Sequence, residues 1–548
     1  MILPLDQRCD VLVAGSGIAG LMSALEAAEA GCAVTLLTST HLFSGSSFYP
    51  GTWGLGLIGP EDEEDQADLA RTIHQVGCGM ADPALVDAFV AGIHPAIEKV
   101  RSMGVKLRRA QQKEQREFVP CFDHKNRDWN GIEFDSARQV FSQRLDQLGI
   151  QILEHCEVLQ LVREENRVRG AVVSRGGQLG YLGCRALVLA TGGYGSLFRY
   201  HLCTDDVSGL GQALALEAGC SLVNMEFMQM MPGYLSPAPK TIFNEKTFRF
   251  TRLRRGDGIP LLPEDEQTQR LLELRSGYGP FTSRLKSKEV DLALFRAFLD
   301  DPAGVEVTYS TQLHQNMPEF IATYFDWLKQ AKGLTIDDPI HIGLFAHAAN
   351  GGIAIAPDAS TGVEGLLACG EVTGGMHGAD RIGGLSTANG LVFGGQAGRT
   401  AAAACMGAPQ PPEHYTFDGW SYTDPTGVLR MLQDVMFRSA MAVRSEEGLT
   451  SALARLDRLE DQLKRQSCDN PTPIAQSRRL AGQLTTARCV LQAALLRRES
   501  RGSHYREDFP AQDPAQECQI RIRREAQGLA VRFMKLSGEE KRNCTCYA

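Results

Sequence analysis

Residues 9–37, CDVLVAGSGIAGLMSALEAAEAGCAVTLL, constrain this chain more than any other stretch. CDVLVA is a short apolar run closed by a glycine turn, the pattern of a parallel strand buried on both faces. Gly15-Ser16-Gly17 follows, then Gly20, then the small-residue helical segment LMSALEAAEAG ending at Gly31; Ala33–Leu37 reads as the next strand. This order is the βαβ dinucleotide fingerprint. The first glycine makes the turn, the second lets a pyrophosphate approach the backbone, and the third lets helix and strand pack. Free amides at the helix N-terminus favour the phosphate charge. A glycine turn without nucleotide is the bland alternative, and the flanking strand, helix and strand weigh against it.

The second strand of such a unit should end in an acid that holds ribose hydroxyls. Here it ends Thr38-Ser39-Thr40-His41. NAD is thereby disfavoured; FAD fits if hydroxyls such as that of Thr38, or other segments, hold the ribose.

Further along, HLFSGSSFYPGTWGLGLIG puts Ser46 and Ser47 in a Ser/Gly loop at the carboxyl end of the sheet, where a loop can lie along a cofactor. A surface turn is the other reading of that loop. EDEEDQAD is a solvated acidic run opening a helix, with no chemistry assigned to it. FDSARQVFSQRLDQLG has helical spacing, and ILEHCEVLQLV, which contains Val158, reads as a strand. CRALVLATGGYG is an apolar strand running into Ala190-Thr191-Gly192-Gly193. Such a second glycine turn is expected where the chain re-crosses beneath a long cofactor.

Residues 235–345 change texture. PAPK, the arginine-rich strand FRFTRLRRGDG, and the helical pieces LKSKEVDLALFRAFL and MPEFIATYFDWLKQA describe an inserted domain. The densest glycine region follows, from His347 to Gly394, and holds Glu371, Arg381, Ser386 and Thr387. Glycines at that density let backbone amides approach a ligand closely or bind anions. GAPQPPEH is a linker. Beyond it Leu449, Leu453, Leu456, Leu459 and Leu463 share one helical stripe, which predicts a helical bundle. The expected units are 1–234 and 346–406 as two parts of one nucleotide-binding domain, 235–345 as a capping domain, and 415–548 as a helical domain.

Bulk properties exclude several classes. A chain of 548 residues is too long for one core. A net charge of -9 discourages a nucleic-acid partner, which needs a basic face. No apolar run approaches the roughly 18 residues that span a bilayer. The start, MILPLDQRCDVLVAG, lacks a basic segment followed by a cleavable apolar one. Fifteen cysteines without metal-type clustering suggest reduced thiols and a cytoplasmic location, with no metal expected. Cys544 and Cys546, in the tail KRNCTCYA, are read as inert.

DVLVAGSGIAGL, GSSFY, ATGGYG, NMEFMQ, HAANGGI, GLLACGE, HGADRI and RRESRGSHYREDFP occur in this order along almost the whole chain. Their order resembles the flavoprotein family of fumarate reductase, succinate dehydrogenase and L-aspartate oxidase. The resemblance implies an α/β fold: a Rossmann-type FAD-binding domain in two parts, an inserted α+β capping domain and a C-terminal helical bundle. FAD contacts are implied at Gly15, Ser16, Gly17, Gly20 and Thr38, at Ser46 and Ser47, and at Val158. Others fall at Ala190, Thr191 and Gly192, and at Glu371, Ser386 and Thr387. GSSFY resembles the L-aspartate oxidase form, in which FAD is non-covalent; the dehydrogenase form has a flavin-linking histidine there. His347 and Arg381 match the family's substrate-carboxylate residues, and Thr251 matches a substrate-site threonine.

Departures from the family pattern are equally specific. EFMQMMP puts Met231 where the family has a substrate histidine. TRLRRGDG keeps Thr251 but puts Arg252 in place of an acid. GYGPFTSRL aligns Phe281 or Gly279 with the family's catalytic arginine, and Arg284 with a later one. Leu210 replaces an aspartate near the second glycine turn. The expected function is a FAD-dependent oxidoreductase acting on a small carboxylate or amino acid with a less polar second half. Arg249, Arg252, Arg254, Arg284 and Tyr234 are candidate acid/base groups. A flavin-binding scaffold or electron-transfer subunit is the alternative from another class. A membrane-complex subunit is a third, disfavoured by the missing flavin-linking histidine.

Overall fold

In the computed structural model, which describes residues 1–52, 54–108 and 122–536, parallel register lines up the ends of several strands at one edge of a sheet. Strand β1 (Ile2–Ala14) is longer than the apolar run suggests, because its first residues pair antiparallel with His414–Thr416. Its last four, Val11–Ala14, are fully buried. Helix α1 (Ile18–Glu29) and strand β2 (Val34–Leu37) follow as the fingerprint predicts. Strand β3 (Gln178–Leu189) lies parallel to β1 on its other side. Ala14 registers with Leu37 on β2 and with Leu189 on β3. The sheet runs Gln151–Leu153, β2, β1, β3, Arg167–Arg175, Cys156–Glu164.

Strand β4 (Met228–Ser236) takes the chain into the arginine-rich segment, and β5 (Ile340–Ala349) brings it back antiparallel to β4. With Thr251–Arg254 and Val305–Tyr309 they form a four-stranded sheet. Helices Lys288–Asp300 and Glu319–Lys332 join an apolar cluster with that sheet, holding Phe243, Phe248, Val290, Leu294 and Tyr324. Strand β6 (Leu366–Ala368) then returns to the first sheet, parallel to β3, with Ala368 opposite Leu189.

Helix α2 (Leu385–Cys405) packs along α1. A Cβ at Gly394 would sit 2.5 Å from Ala19 O, and one at Gly398 2.4 Å from Ser23 O. These two glycines therefore serve helix contact, where the glycine-rich stretch suggested a ligand floor throughout.

Helices α3 (Pro425–Ala440), α4 (Glu446–Gln462) and α5 (Pro471–Leu496) pack on one another. Each begins at a side-chain cap: Asp424, Ser445 and Asn470 accept from the amides of Gly427, Gly448 and Thr472. Leu449, Leu456 and Leu459 are buried and Leu453 packs at the cluster's edge, as the stripe predicts. The helical expectation stops there. Gln519–Glu525 and Gly528–Met534 form a hairpin that joins Leu222–Val223 and Gly352–Ala354 in a second sheet. Alternation in QIRIR, with Ile520 and Ile522 buried, was the overlooked signal.

RRESRGSHYRED forms a buried charge network between the domains. Arg497 pairs with Glu226 and Glu499, each at 2.8 Å, and Arg501 pairs with Glu499 at 2.7 Å; all four side chains are 0% exposed. Arg501 also donates to Cys78 O, and the Ser503 hydroxyl donates to Ala379 O. Among the described residues, no helix is long and apolar enough to cross a membrane. Cys544 and Cys546 lie outside the described residues.

Candidate functional site

A cavity of about 650 Å³ opens along the carboxyl ends of β1, β2 and β3, within the roughly 300–1,000 Å³ range of ligand pockets. Gly15 sits at φ +116°, and a Cβ there would lie 2.2 Å from Ala190 O. Gly20 lies behind it: a Cβ would stand 1.8 Å from Gly15 O. Helix α1 starts at Gly17 without a side-chain cap on its N-cap residue, and the Ile18 amide donates to Ser47 Oγ at 3.1 Å. We expect Gly20→Ala to push the first turn out of place and empty the protein of flavin. The flavin-to-protein ratio of the purified, soluble variant checks this, and full loading would show that the turn can shift without loss.

At the end of β2, Asp206 supplies the acid that the strand lacks. Its Oδ2 accepts from Ser39, Thr40 and Ser44 at 3.3, 3.2 and 3.2 Å, while its Oδ1 is buried without a partner. Thr38 is buried beside Ser44, and Val158 lines the same end. Further along, the Thr191 hydroxyl is buried and unpaired. Glu371 accepts from the Ala349 amide at 2.9 Å and sits by the Gly193 amide and the Ser46 hydroxyl; burial pushes its pKa up. Helix α2 also starts uncapped, at Gly384 with φ 79°, so Ser386 and Thr387 bring first-turn amides to the cavity. Two uncapped helix starts, an unpaired hydroxyl and an unpaired carboxylate oxygen need partners. FAD provides matching ones in its phosphates, ring carbonyl and ribose hydroxyls, so these residues fit it.

The other end is built on β4 and β5. Gln229 registers with Ala348 and Met230 with Ala346, so His347 is the extra residue of a bulge. Bulges re-aim a side chain, and His347 lines the cavity half-buried, its Nδ1 unpaired. Burial, helped by the nearby Arg381 charge, pushes its pKa down to about 3, so the imidazole is neutral. Arg381 Nε donates to Gln229 Oε1 at 3.0 Å, and Gln229 Nε2 donates back to Arg381 O at 3.3 Å. Next to it, Asp380 accepts from Thr282 Oγ1 at 2.7 Å and Arg284 Nε at 2.8 Å, tying the capping segment to the loop that carries Arg381. The facing wall is different in kind. Tyr49, Leu202, Met231, Ile242 and Phe345 form one apolar cluster, and Pro280, Phe320 and the buried Glu245 complete the lining.

Of the residues expected from sequence, Gly15, Ser16, Gly17, Thr38, Ser46, Ser47, Val158, Ala190, Thr191, Gly192, His347, Glu371, Arg381, Ser386 and Thr387 line this cavity. Thr251 does not. It heads an edge strand of the capping sheet and its hydroxyl donates to Phe248 O, because the chain before it folds back and puts Ile242 and Glu245 on the wall instead. The proposed acid/base side chains also point elsewhere. Arg249 and Arg252 are exposed, Arg254 pairs with Glu264, Arg284 with Asp380, and the Tyr234 hydroxyl meets Tyr324. Asp206, Gln229 and Glu245 were missed. The TDD run after the second glycine turn and the EFMQ motif carried signals for the first two. Glu245 had none, since its place depends on Phe243 N donating to Pro232 O and Ile242 bridging Gly233.

Residues 10–387 match the family model described as FAD binding domain, and residues 429–540 match fumarate reductase flavoprotein C-term. The chain is 28% identical over 557 residues to a fumarate reductase (CoM/CoB) of Methanothermobacter marburgensis, covering 94% of this chain and 97% of that one. It is 30% identical over 523 residues to L-aspartate oxidase of Mycobacterium leprae, covering 92% and 93%. Its fold matches the Mycobacterium smegmatis Sdh1 complex in the apo form with a TM-score of 0.79 at 22% identity, over 99% of this chain and 96% of that one.

Proposed function

This chain belongs to the FAD-dependent oxidoreductase family of fumarate reductase and L-aspartate oxidase, and on that premise we propose that it acts on a small carboxylate held by Arg381 and His347. FAD, when bound, supplies the hydride chemistry, and the protein supplies orientation. The observation that carries the reading is Arg381 locked by Gln229 beside a bulged, unpaired His347. A guanidinium fork binds a carboxylate through two parallel hydrogen bonds, and the neutral imidazole adds a donor. Glu371, Ser386 and Thr387 are assigned to the flavin end, Gly15, Gly17 and Ser47 to the pyrophosphate, and residues 235–345 to a capping domain that closes the substrate half.

The substrate proposed differs from the dicarboxylates in the relatives' names. Met231, Ile242 and Phe320 offer no donor to a second carboxylate, so its second half is less polar. A catalytically silent flavoprotein is the second reading, favoured by Pro280 and the buried Phe281 occupying the segment that aligns with an arginine. Anaerobic bleaching of the flavin by amino acids, or reoxidation of reduced flavin by enoic acids, tests the first reading. Silence of a fully loaded protein toward both classes would favour the second.

Flavin attachment is proposed to be non-covalent. Ser46 and Ser47 occupy the flavin loop, and His347, on the substrate side, is the histidine lining the cavity among the described residues. Acid precipitation should release all the yellow colour into the supernatant; colour retained in the pellet would contradict this.

A further inference from the structure

Glu245 is a carboxyl in a place where a carboxyl is costly. It starts a short 3-10 turn on the capping wall, is 7% exposed and lines the cavity with His347 and Arg381. Among the described residues, no side chain is hydrogen-bonded to its carboxyl group. The cations around it are engaged elsewhere. Arg275 is committed to Asp291 at 2.8 Å and to the carbonyls of Tyr278 and Gly279 at 2.6 and 2.9 Å. Lys246 lies over the Phe320 ring at 4.1 Å. Tyr324, the other titratable group that senses it, donates to Ile242 O. A buried carboxyl without a partner costs folding free energy, and such groups concentrate at functional sites.

Its surroundings say what partner is missing. On β4, Gln229 and Met231 share a face; Gln229 holds Arg381, and Met231 belongs to the apolar cluster with Ile242 and Leu202. One cavity thus offers a guanidinium, an apolar wall and a lone carboxyl. We infer, resting on the carboxylate reading above, that the substrate is an α-amino acid with an apolar side chain, its ammonium group received by Glu245. The charges then close: Arg381 neutralises the substrate carboxylate and Glu245 the ammonium, while Leu202, Met231, Ile242 and Phe320 cover the side chain. A second carboxylate would meet Glu245 and no further cation on that wall among the described residues. Burial pushes the Glu245 pKa up, only partly offset by its own amide, Arg275 and Lys246. An incoming ammonium supplies the counter-charge that brings the carboxylate form back.

The test uses the FAD-loaded protein under anaerobic conditions and three probes: L-leucine, isocaproate (leucine without its amino group) and succinate. Dissociation constants come from flavin difference spectra or calorimetry. L-Leucine is expected to bind at least roughly 10-fold tighter than isocaproate, as a charge-assisted hydrogen bond provides, and succinate more weakly than both. In Glu245→Gln the leucine advantage should vanish while isocaproate affinity stays unchanged. Equal affinity for leucine and isocaproate, a leucine advantage that survives Glu245→Gln, or succinate binding tightest would each overturn the inference. Failure of the carboxylate reading looks different: Arg381→Ala would then leave all three probes unchanged.

Discussion

Arg381→Ala is expected to lower carboxylate affinity and turnover by two to three orders of magnitude while leaving flavin content intact. Truncating one partner of a buried, hydrogen-bonded charge pair costs roughly 2–5 kcal/mol, much of it from the partner left unpaired. The side chain is 9% exposed and Gln229 holds its Nε edge, so little water can replace the lost guanidinium. Arg381→Lys should recover only a small part, because an ammonium keeps the charge and loses the planar fork. Single-turnover flavin bleaching, read beside the flavin-to-protein ratio, separates the two functions of this loop. An unchanged rate in a fully loaded Arg381→Ala protein would mean that the carboxylate sits elsewhere.

The second large effect concerns stability. Glu499→Ala should destabilise the protein by roughly 3–5 kcal/mol, since it strips the shared counter-ion from Arg497 and Arg501, both fully buried. Glu499 also accepts from the Asp513 amide at 2.8 Å, so a backbone donor is orphaned too. Arg501 reaches Cys78 O and Ser503 reaches Ala379 O, so the loss should propagate to the loop beside Arg381. A lower urea midpoint with weaker flavin retention is the expected result. A shift corresponding to less than about 1 kcal/mol would show that Glu226 alone compensates both arginines. Glu499→Gln, which keeps the shape and the acceptors, should fall between the two.

Much of this was legible before any coordinates. The fingerprint at 9–37 placed α1 and β2 within a few residues, because a buried strand, a glycine turn and a small-residue helix each have a local chemical reason. Cofactor positions were readable for the same reason: a glycine that must approach another backbone closely has no substitute. Errors arose where one residue type serves two purposes. Gly394 and Gly398 looked like ligand-floor glycines and instead let α2 approach α1. Thr251 carried a motif's identity without its position, because the preceding chain folds back onto β4 and takes the wall.

From the amino-acid order alone, then, came the Rossmann-type unit, the flavin, the inserted segment and the pairing of His347 with Arg381 as a carboxylate site, since each rests on local patterns or on motifs read in series. Tertiary structure alone decided which acid stands at the end of β2, what holds Arg381, and what faces it. Asp206, Gln229 and Glu245 reach the cavity through strand register, a bulge and a backbone fold-back, respectively. Such long-range pairings leave no periodicity in the residues they bring together.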